Sequence, residues 1–405
     1  MATYILKNSK TVKRMMALGL MLIFIAAVLA GCGKRADDSQ IIESTPSHTA
    51  NHHDFSVMFI NVGRADATLI QIDGGSYLID TGEKSSVPSL FAALSILNVQ
   101  KIKGVFLTHT HSDHIGGMEA LAKRYEIDTL YSAEISEYNK DGKNKIEQLA
   151  KDLSIPHIKL AAGDIAELTP EVGFDVLGPL EYNSDDDNDN SLILKLLING
   201  KIFLFTGDMQ FPEETTLLDA GIDVSADVLK VGNHGNPDAT SKEFALAVSP
   251  EIAFISTDTS VDEDSANERV ISALQDARVF ITQDSSVGFL VTIGADGEIE
   301  VKNPQPEKTR AKIEILELNK DDQEVTLINN GEDADISGYL IFSEKGSEVY
   351  VFPEGTYIKT KETLTVACKG GQGDLLWDDK KVWHTKKEDA AILYDRYGNE
   401  LSKKR

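Results

Sequence analysis

Cysteine is nearly missing from this 405-residue chain, with Cys32 and Cys368 the only two. At most one disulfide can form, so packing must hold the fold. Tryptophan is as scarce, at two residues, Trp377 and Trp383. Positive charge is short too: 40 Lys and Arg stand against 65 Asp and Glu, a net of −25. The deficit is uneven. Residues 32–306 hold 20 basic and 45 acidic side chains, a net of −25, whereas residues 307–405 hold 16 and 20, a net of −4. Such an acidic surface opposes sequence-independent binding of polyanions, which needs basic patches to release counterions. The 41 % apolar content is ordinary for a globular protein, and the length allows two or three domains.

Long apolar runs are absent but for Met15 to Ala30, which follows Lys7, Lys10, Lys13 and Arg14. That run is short for a membrane span and suits a signal peptide. It ends in Leu29-Ala30-Gly31-Cys32, which resembles the lipobox of bacterial lipoproteins. The resemblance implies a signal peptide over residues 1–31, cleavage before Cys32, and lipidation of its thiol. The protein is then a lipoprotein held at the extracellular face of the cell membrane. An uncleaved anchor helix is the alternative, with the rest still facing outward. Loss of residues 1–31 removes four positive charges and leaves a net of −29. Acylated Cys32 could form no disulfide, and Cys368, in the alternating stretch Thr363–Cys368, is expected to be a buried strand residue. Residues 32–54 are polar and read as a tether. His48, His52 and His53 lie in it, and a solvated tail is favoured there over a metal role.

From Phe55 short strands dominate. Val57–Val62, Ala67–Ile72 and Ser76–Asp80 are apolar runs, the last two joined around Asp73-Gly74, a hairpin signal. Val87–Asn98 has helical periodicity. A second series begins at Phe174–Leu177, and Ser191–Ile198 and Lys201–Phe205 flank the turn pair Asn199-Gly200. Helical stretches at Pro212–Asp219, Ser241–Val248 and Asn267–Ala277 alternate with strands at Asp227–Val231, Ile252–Ser256 and Val279–Thr282. Two strand-rich halves, each with helices, fit an α/β fold of layered sheets and helices. Asn303-Pro304-Gln305-Pro306 marks a boundary, giving an α/β domain over 55–302 and a small all-β domain over 307–405.

The densest chemistry lies in Thr108-His109-Thr110-His111-Ser112-Asp113-His114-Ile115-Gly116-Gly117. On an extended strand end, residues two apart share a face, so His109 and His111 can aim at one ion. Asp113 and His114 stand where the chain turns into the helix-like stretch Ile115–Tyr125, and can swing toward a second ion. Three of the chain's nine histidines fall here.

This pattern resembles the His-x-His-x-Asp-His signature of the metallo-β-lactamase superfamily. Membership implies the αββα sandwich with a dinuclear site at one edge of the paired sheets, not β-lactam hydrolysis. By that resemblance His109 and His111 hold the first metal ion, and Asp113, His114 and His234 the second. Asp208, in Thr206-Gly207-Asp208, bridges the two. Asp80, in Ile79-Asp80-Thr81-Gly82, supports an imidazole from behind. Two divalent ions, zinc first and manganese as the alternative, would generate a hydroxide near neutral pH and clamp the attacked oxygen. Asp208 and Asp113 are the catalytic candidates.

Many superfamily members carry a third histidine for the first metal. The only histidine in that interval is His157, far from the expected strand, and Asn190-Ser191 occupies the expected place. That substitution is similar to the metallo-β-lactamase-like domain of ComEC-type competence proteins. Phe59–Ala67 resembles the opening strand and turn of that branch, with Arg64-Ala65 where Gln-Gly is usual. Val228–Gly235 resembles its late motif, with Asn233 where a first histidine of a pair is common. The acidic run Ser184–Asn190 lacks the spacing of a calcium loop and is expected to be a solvated loop. Lys230 is a candidate phosphate or carboxylate contact, weighed against an ordinary solvated lysine.

Residues 312–402 contain Glu324–Asn330, Ile336–Ile341, Tyr350–Thr356, the two tryptophans and Asp389–Gly398. They resemble a lamin-tail domain, an immunoglobulin-like sandwich found beside nucleases and hydrolases. A passive β-module that packs against or presents the enzyme is the plainer alternative.

Three functions compete. The first is a surface phosphodiesterase or nuclease, with DNA as a candidate substrate. The second is a hydrolase of a cell-wall phosphodiester, an ester or a small molecule, which the acidic catalytic half favours. The third is a non-catalytic metal-binding surface protein, suggested by the missing histidine.

Overall fold

The computed structural model describes residues 52–138 and 140–405. The candidate leader, Cys32 and most of the tether, His48 included, lie outside them. Along the chain run β1 (Phe55–Ile60), β2 (Thr68–Ile72), β3 (Gly75–Ile79), β4 (Gly104–Leu107), β5 (Leu130–Ala133) and β6 (His157–Leu160). Next come β7 (Ile165–Glu167), β8 (Gly173–Gly178), β9 (Ile193–Ile198), β10 (Lys201–Phe205), β11 (Val228–Lys230), β12 (Ile252–Ile255) and β13 (Arg278–Ile281). β14 (Gly288–Ile293) and β15 (Ile299–Lys302) then return to the first set.

These strands make two sheets. One has the order β15-β14-β1-β2-β3-β4-β5-β6 and the other β13-β12-β11-β10-β9-β8-β7. In each, an antiparallel meander passes into a parallel run: β3 to β6 in the first sheet and β10 to β13 in the second. Asp73-Gly74 and Asn199-Gly200 all have positive φ, the backbone a tight hairpin demands and these residue types tolerate.

The sheets face each other across a core of aromatic and branched side chains. Phe59 stacks on Phe254 with ring centroids 3.9 Å apart, and Phe174, Phe203 and Phe205 fill the same layer. Helices cover the outer faces. Val87–Ile96, Met118–Arg124 and Lys145–Leu153 pack on the first sheet; Phe211–Asp219, Lys242–Val248 and Glu268–Ala273 pack on the second. The result is the four-layer α/β sandwich of the metallo-β-lactamase fold. Lys145–Leu153 was not anticipated, although Asn144 caps it by accepting from the amides of Ile146 and Glu147. Among the described residues no helix is long and apolar enough to cross a membrane.

Residues 303–312 are irregular, as the two prolines require, and strands alone follow. β16 (Ile313–Asn319), β17 (Glu324–Asn329), a short β18 (Ala334–Asp335), β19 (Leu340–Ser343), β20 (Val349–Val351) and a short β21 (Tyr357–Ile358) come first. β22 (Thr363–Cys368), β23 (Leu375–Trp377), β24 (Ala391–Tyr394) and β25 (Glu400–Lys404) complete them. The sheets β16-β17-β22-β23 and β20-β19-β24-β25 sandwich a core that includes Trp383, Trp377 and the buried, unpaired Cys368.

The second of these sheets is buried on both faces. Ile341, Tyr350 and Leu393 point into the sandwich, while Leu340, Phe342, Val349 and Ile392 join the apolar layer under Val87–Ile96 and Met118–Arg124. Residues 52–405 accordingly form one compact unit. The tether is shorter than expected. His53 exchanges hydrogen bonds with Asn199, its amide donating at 2.9 Å, and its Nδ1 lies 2.7 Å from Asp73 Oδ2, so this histidine belongs to the folded unit.

Candidate metal centre

Every ligand-type side chain of the motif is delivered from the C-terminal end of a strand. β4 ends at Leu107 and hands Thr108 to His111 to the edge of the sandwich, after which Ser112–Ile115 forms one helical turn. That turn is clamped on the loop after β3. The amide and Oγ1 of Thr81 both donate to the carbonyl of His114, at 2.7 and 2.9 Å. Only glycine fits at the contact: a Cβ on Gly116 would lie 2.6 Å from Lys84 N, and one on Gly117 2.3 Å from Thr81 O.

Asp208 sits at the centre. Its Oδ2 is 3.1 Å from His114 Nε2, 3.3 Å from His234 Nε2 and 3.9 Å from His109 Nε2. Asp113 Oδ2 is 3.4 Å from His234 Nε2. The ligand atoms of Asp113, His114, Asp208 and His234 all lie within 4.8 Å of one another. Beside them His109 Nε2 and His111 Nδ1 face each other at 2.9 Å. Asp208 thus stands between a two-imidazole half and a half made of Asp113, His114 and His234.

Two imidazoles are fixed from behind. His234 Nδ1 is 2.8 Å from the carbonyl of Ser256, which can only accept, so Nδ1 carries the proton and Nε2 faces inward. His114 Nδ1 is 2.8 Å from Asp80 Oδ2, and Asp80 is itself oriented by the amide and hydroxyl of Thr108, each at 2.8 Å. His114 Nε2, His234 Nε2 and Asp208 Oδ1 are buried and have no hydrogen-bond partner. Buried polar atoms left this way are costly, and their convergence suits a divalent cation with nitrogen and oxygen ligands.

Titration behaviour agrees with that donor set. Burial opposes charging of His114 and His234, but Asp208 and Asp80 hold the first well above the usual imidazole range, and Asp208 and Asp113 push the second up to about 10. Burial would raise Asp208 and Asp113; the facing imidazoles outweigh it and hold both carboxyls below their usual range. Burial and the neighbouring His114 charge drive His109 well below its ordinary value. Without metal, protons on His114 and His234 balance the carboxylates.

Ser191 occupies the place read for a third histidine. It is fully buried; its Oγ lies 3.3 Å from His109 Nδ1 and accepts the amide of Asp208 at 3.0 Å. Asn190, which shares with Ser191 the place expected for that histidine, does not reach the cluster. Its side chain closes its own loop on Asn183 and donates to Asp187 Oδ1. The acidic run is not a solvated loop throughout, because Asp187 to Asn190 form a buried turn. Asp187, which went unnoticed inside that run, accepts the amides of Thr110 (2.8 Å) and Glu137 (3.0 Å) and so holds the motif strand in place.

Lys230 is neither solvated nor turned to a substrate. It is buried with its Nζ 2.7 Å from Asp66 Oδ2 and 2.9 Å from the carbonyl of Val231, so its charge is spent inside the protein. The cation at the mouth is Arg64, which the sequence flagged only as a departure from Gln. Its Nη1 donates to Asp113 Oδ2 at 2.8 Å and its Nε to Asp262 Oδ2 at 3.1 Å, with 39 % of the side chain exposed. His157 is remote, on β6 beside Ser132.

The sequence pattern of the Metallo-beta-lactamase superfamily matches residues 60–259. ComE operon protein 3 of Bacillus subtilis (strain 168) is 27 % identical over 239 residues, 54 % of this chain and 30 % of that protein. Competence protein ComA of Neisseria gonorrhoeae is 28 % identical over 221 residues, 53 % of this chain and 28 % of its own length. The chain thus spans less than a third of these curated relatives. Among solved structures, the metallo-β-lactamase fold protein YhfI from Bacillus subtilis aligns with 58 % of this chain and 99 % of its own at 14 % identity and a TM-score of 0.41. Residues 60–259 thus form a domain of the metallo-β-lactamase superfamily.

Proposed function

We propose that this protein is a metal-dependent phosphodiesterase or nuclease, anchored at the outer face of the cell membrane through Cys32. The observation that carries the reading is the pairing of a converged, buried set of imidazoles and carboxylates, whose contacts are ion pairs rather than well-formed hydrogen bonds, and an Arg64 guanidinium beside it at the mouth. Divalent cations held by His109, His111, Asp113, His114, Asp208 and His234 would lower the pKa of a water and stabilise charge on the attacked group. The protein's own groups do the rest. Asp80 and the Ser256 carbonyl fix which imidazole nitrogen faces inward. Asp113 serves first as a ligand, and Arg64 beside it is placed to bind an anionic oxygen of the substrate. Ser191, though it touches His109, is buried beyond the reach of substrate, which leaves water as the nucleophile.

The net −25 on residues 32–306 favours a second reading, hydrolysis of a small or uncharged ester. Purified protein beginning at Gly33, its metal content measured, separates the two with single-stranded DNA, bis-p-nitrophenyl phosphate and p-nitrophenyl acetate. Cleavage of either phosphodiester supports the proposal. Cleavage of the acetate alone, or of none with both ions bound, overturns it. The anchor is tested separately: Cys32→Ala should leave an unprocessed precursor without lipid label, and normal maturation of that variant removes the lipoprotein reading.

A further inference from the structure

A cleft of about 500 Å³ opens where the C-terminal sandwich meets the helices Val87–Ile96 and Met118–Arg124. It lies at the far end of Met118–Arg124 from the metal motif, about 10 Å along the helix axis. In a chain this acidic, its lining carries three cations, Lys123, Arg124 and Arg396, against one carboxylate, Glu354. Arg124 presents its guanidinium to the cleft, 4.9 Å from the ring centre of Phe91 and 5.2 Å from that of Tyr125. Nη2 donates to Ser95 Oγ at 3.2 Å, but Nη1 is buried without a hydrogen-bond partner, and Glu354, on the same cleft, acts on this side chain only through space.

A second arginine stands beside it. Arg396 donates to the carbonyl of Ser337 at 2.6 Å and reaches only a half-exposed Asp335 at 3.9 Å. The two meet around Gly338, where a Cβ would lie 3.1 Å from Arg124 Nη2 and 3.9 Å from Arg396 Cβ. Two neighbouring cations, one largely desolvated, repel each other and disfavour the charge on Arg124. Buried cations are ordinarily paired, and a cleft lined by Lys123, Arg124 and Arg396 against the single carboxylate Glu354 carries a net positive charge that suits an anion.

We propose that this seam cleft binds a phosphate group, free or as the phosphomonoester of a mononucleotide, between Arg124 and Arg396. Guanidinium forks match the tetrahedral oxygens of phosphate, and the cleft volume suits a ligand of mononucleotide size. Because both domains contribute, the bound anion would fasten the sandwich to the helix that follows the metal motif. The site is independent of the catalytic reading above.

Hydrogen exchange on the metal-loaded protein, with inorganic phosphate or adenosine 5′-monophosphate added, tests the proposal and locates the ligand. The expected result is saturable protection of residues 95–100 and 337–354, weakened at least about tenfold in Arg396→Gln and in Arg124→Gln. Arg396 lies partly exposed, so its variant keeps the test valid if Arg124→Gln fails to fold. Protection by both probes assigns free phosphate chemistry; protection by the nucleotide alone assigns a phosphomonoester. No protection of these segments up to about 10 mM of either probe, protection confined to residues 108–117 and 206–235, or protection unchanged in Arg396→Gln overturns it.

Discussion

Nη1 of Arg64 donates to Oδ2 of Asp113 at 2.8 Å, and the same oxygen faces His234 Nε2 at 3.4 Å. A cation of the protein therefore rests on an atom that a metal ion would use. Arg64→Ala should leave metal content equal or higher, since a competing charge is gone. It should raise KM for bis-p-nitrophenyl phosphate by about fivefold to tenfold, the modest end for a charge-assisted contact because the guanidinium is partly screened by water. An unchanged KM would remove Arg64 from the substrate site.

Asp80 touches no substrate, yet it sets which nitrogen of His114 faces inward. Asp80→Asn keeps the shape and loses the charge. Metal affinity should fall about tenfold to a hundredfold, as for other carboxylates behind ligating histidines. Chelator competition measures this directly, and wild-type affinity in the variant would mean that Ser191 and Thr108 suffice to orient the ring pair.

The two halves of the centre are unequal. The Asp113, His114 and His234 half has three side chains besides Asp208, while the His109 and His111 half has two, with Ser191 where another imidazole was looked for. Fewer protein ligands leave more positions to water and weaken binding. Metal titration should resolve a tighter and a weaker site, with His234→Ala abolishing the tighter one; two equal sites would contradict this. Asp208→Ala, which removes the central carboxylate, should abolish turnover even where one ion remains.

Metal-free protein should lose stability as pH rises. His234 has a folded-state pKa of about 10, burial being outweighed by Asp208 and Asp113, against an ordinary imidazole value of about 6.5. A raised folded pKa gives stability fully present below the unfolded value and lost as pH climbs through the folded one. The melting temperature of chelator-treated protein should thus fall from about pH 6.5 to about pH 10. Metal replaces those protons, so the loaded protein should lack this decline, and metal should bind more tightly as pH rises across the same window. Parallel profiles for the two forms would count against the proton-for-metal exchange.

Much of the architecture was readable because it depends on local pattern. Turn pairs such as Asn199-Gly200 need positive φ, and the runs they join became β9 and β10 in register. The motif was legible because four ligand-type residues crowd into six positions directly after the apolar run that became β4, although His109 and His111 lie past the strand's end, the first of them in a bend. The remaining features depend on pairs distant in sequence. Arg64 finds Asp113 across 49 positions and Lys230 finds Asp66 across 164. No periodicity announces either pair, and a lysine at a strand end reads as solvated until its partner is seen. Asp187 was hidden in an acidic run whose charge count suggested water; only the motif strand crossing above it reveals two amides to be satisfied. Asn144 with Glu147 three residues on was a usable capping signal for Lys145–Leu153 that went unread.

The C-terminal sandwich makes the final prediction. β19 reads Leu340-Ile341-Phe342-Ser343 and is buried throughout, which a one-sided sheet would not tolerate. Alternate side chains serve two cores: Ile341 faces Trp383 and its neighbours, and Phe342 faces the helices of the α/β domain. Phe342→Ala should therefore cost about 3–4 kcal/mol, as for a large aromatic cut from a closed core. A module that merely tethers or presents the enzyme would lose little. Deleting residues 307–405 should strip the cover from the apolar layer under Val87–Ile96 and Met118–Arg124, and give an aggregating product with weakened metal binding, since the second helix continues directly from the motif. A soluble truncated protein with wild-type metal affinity would show that the α/β domain is complete by residue 306.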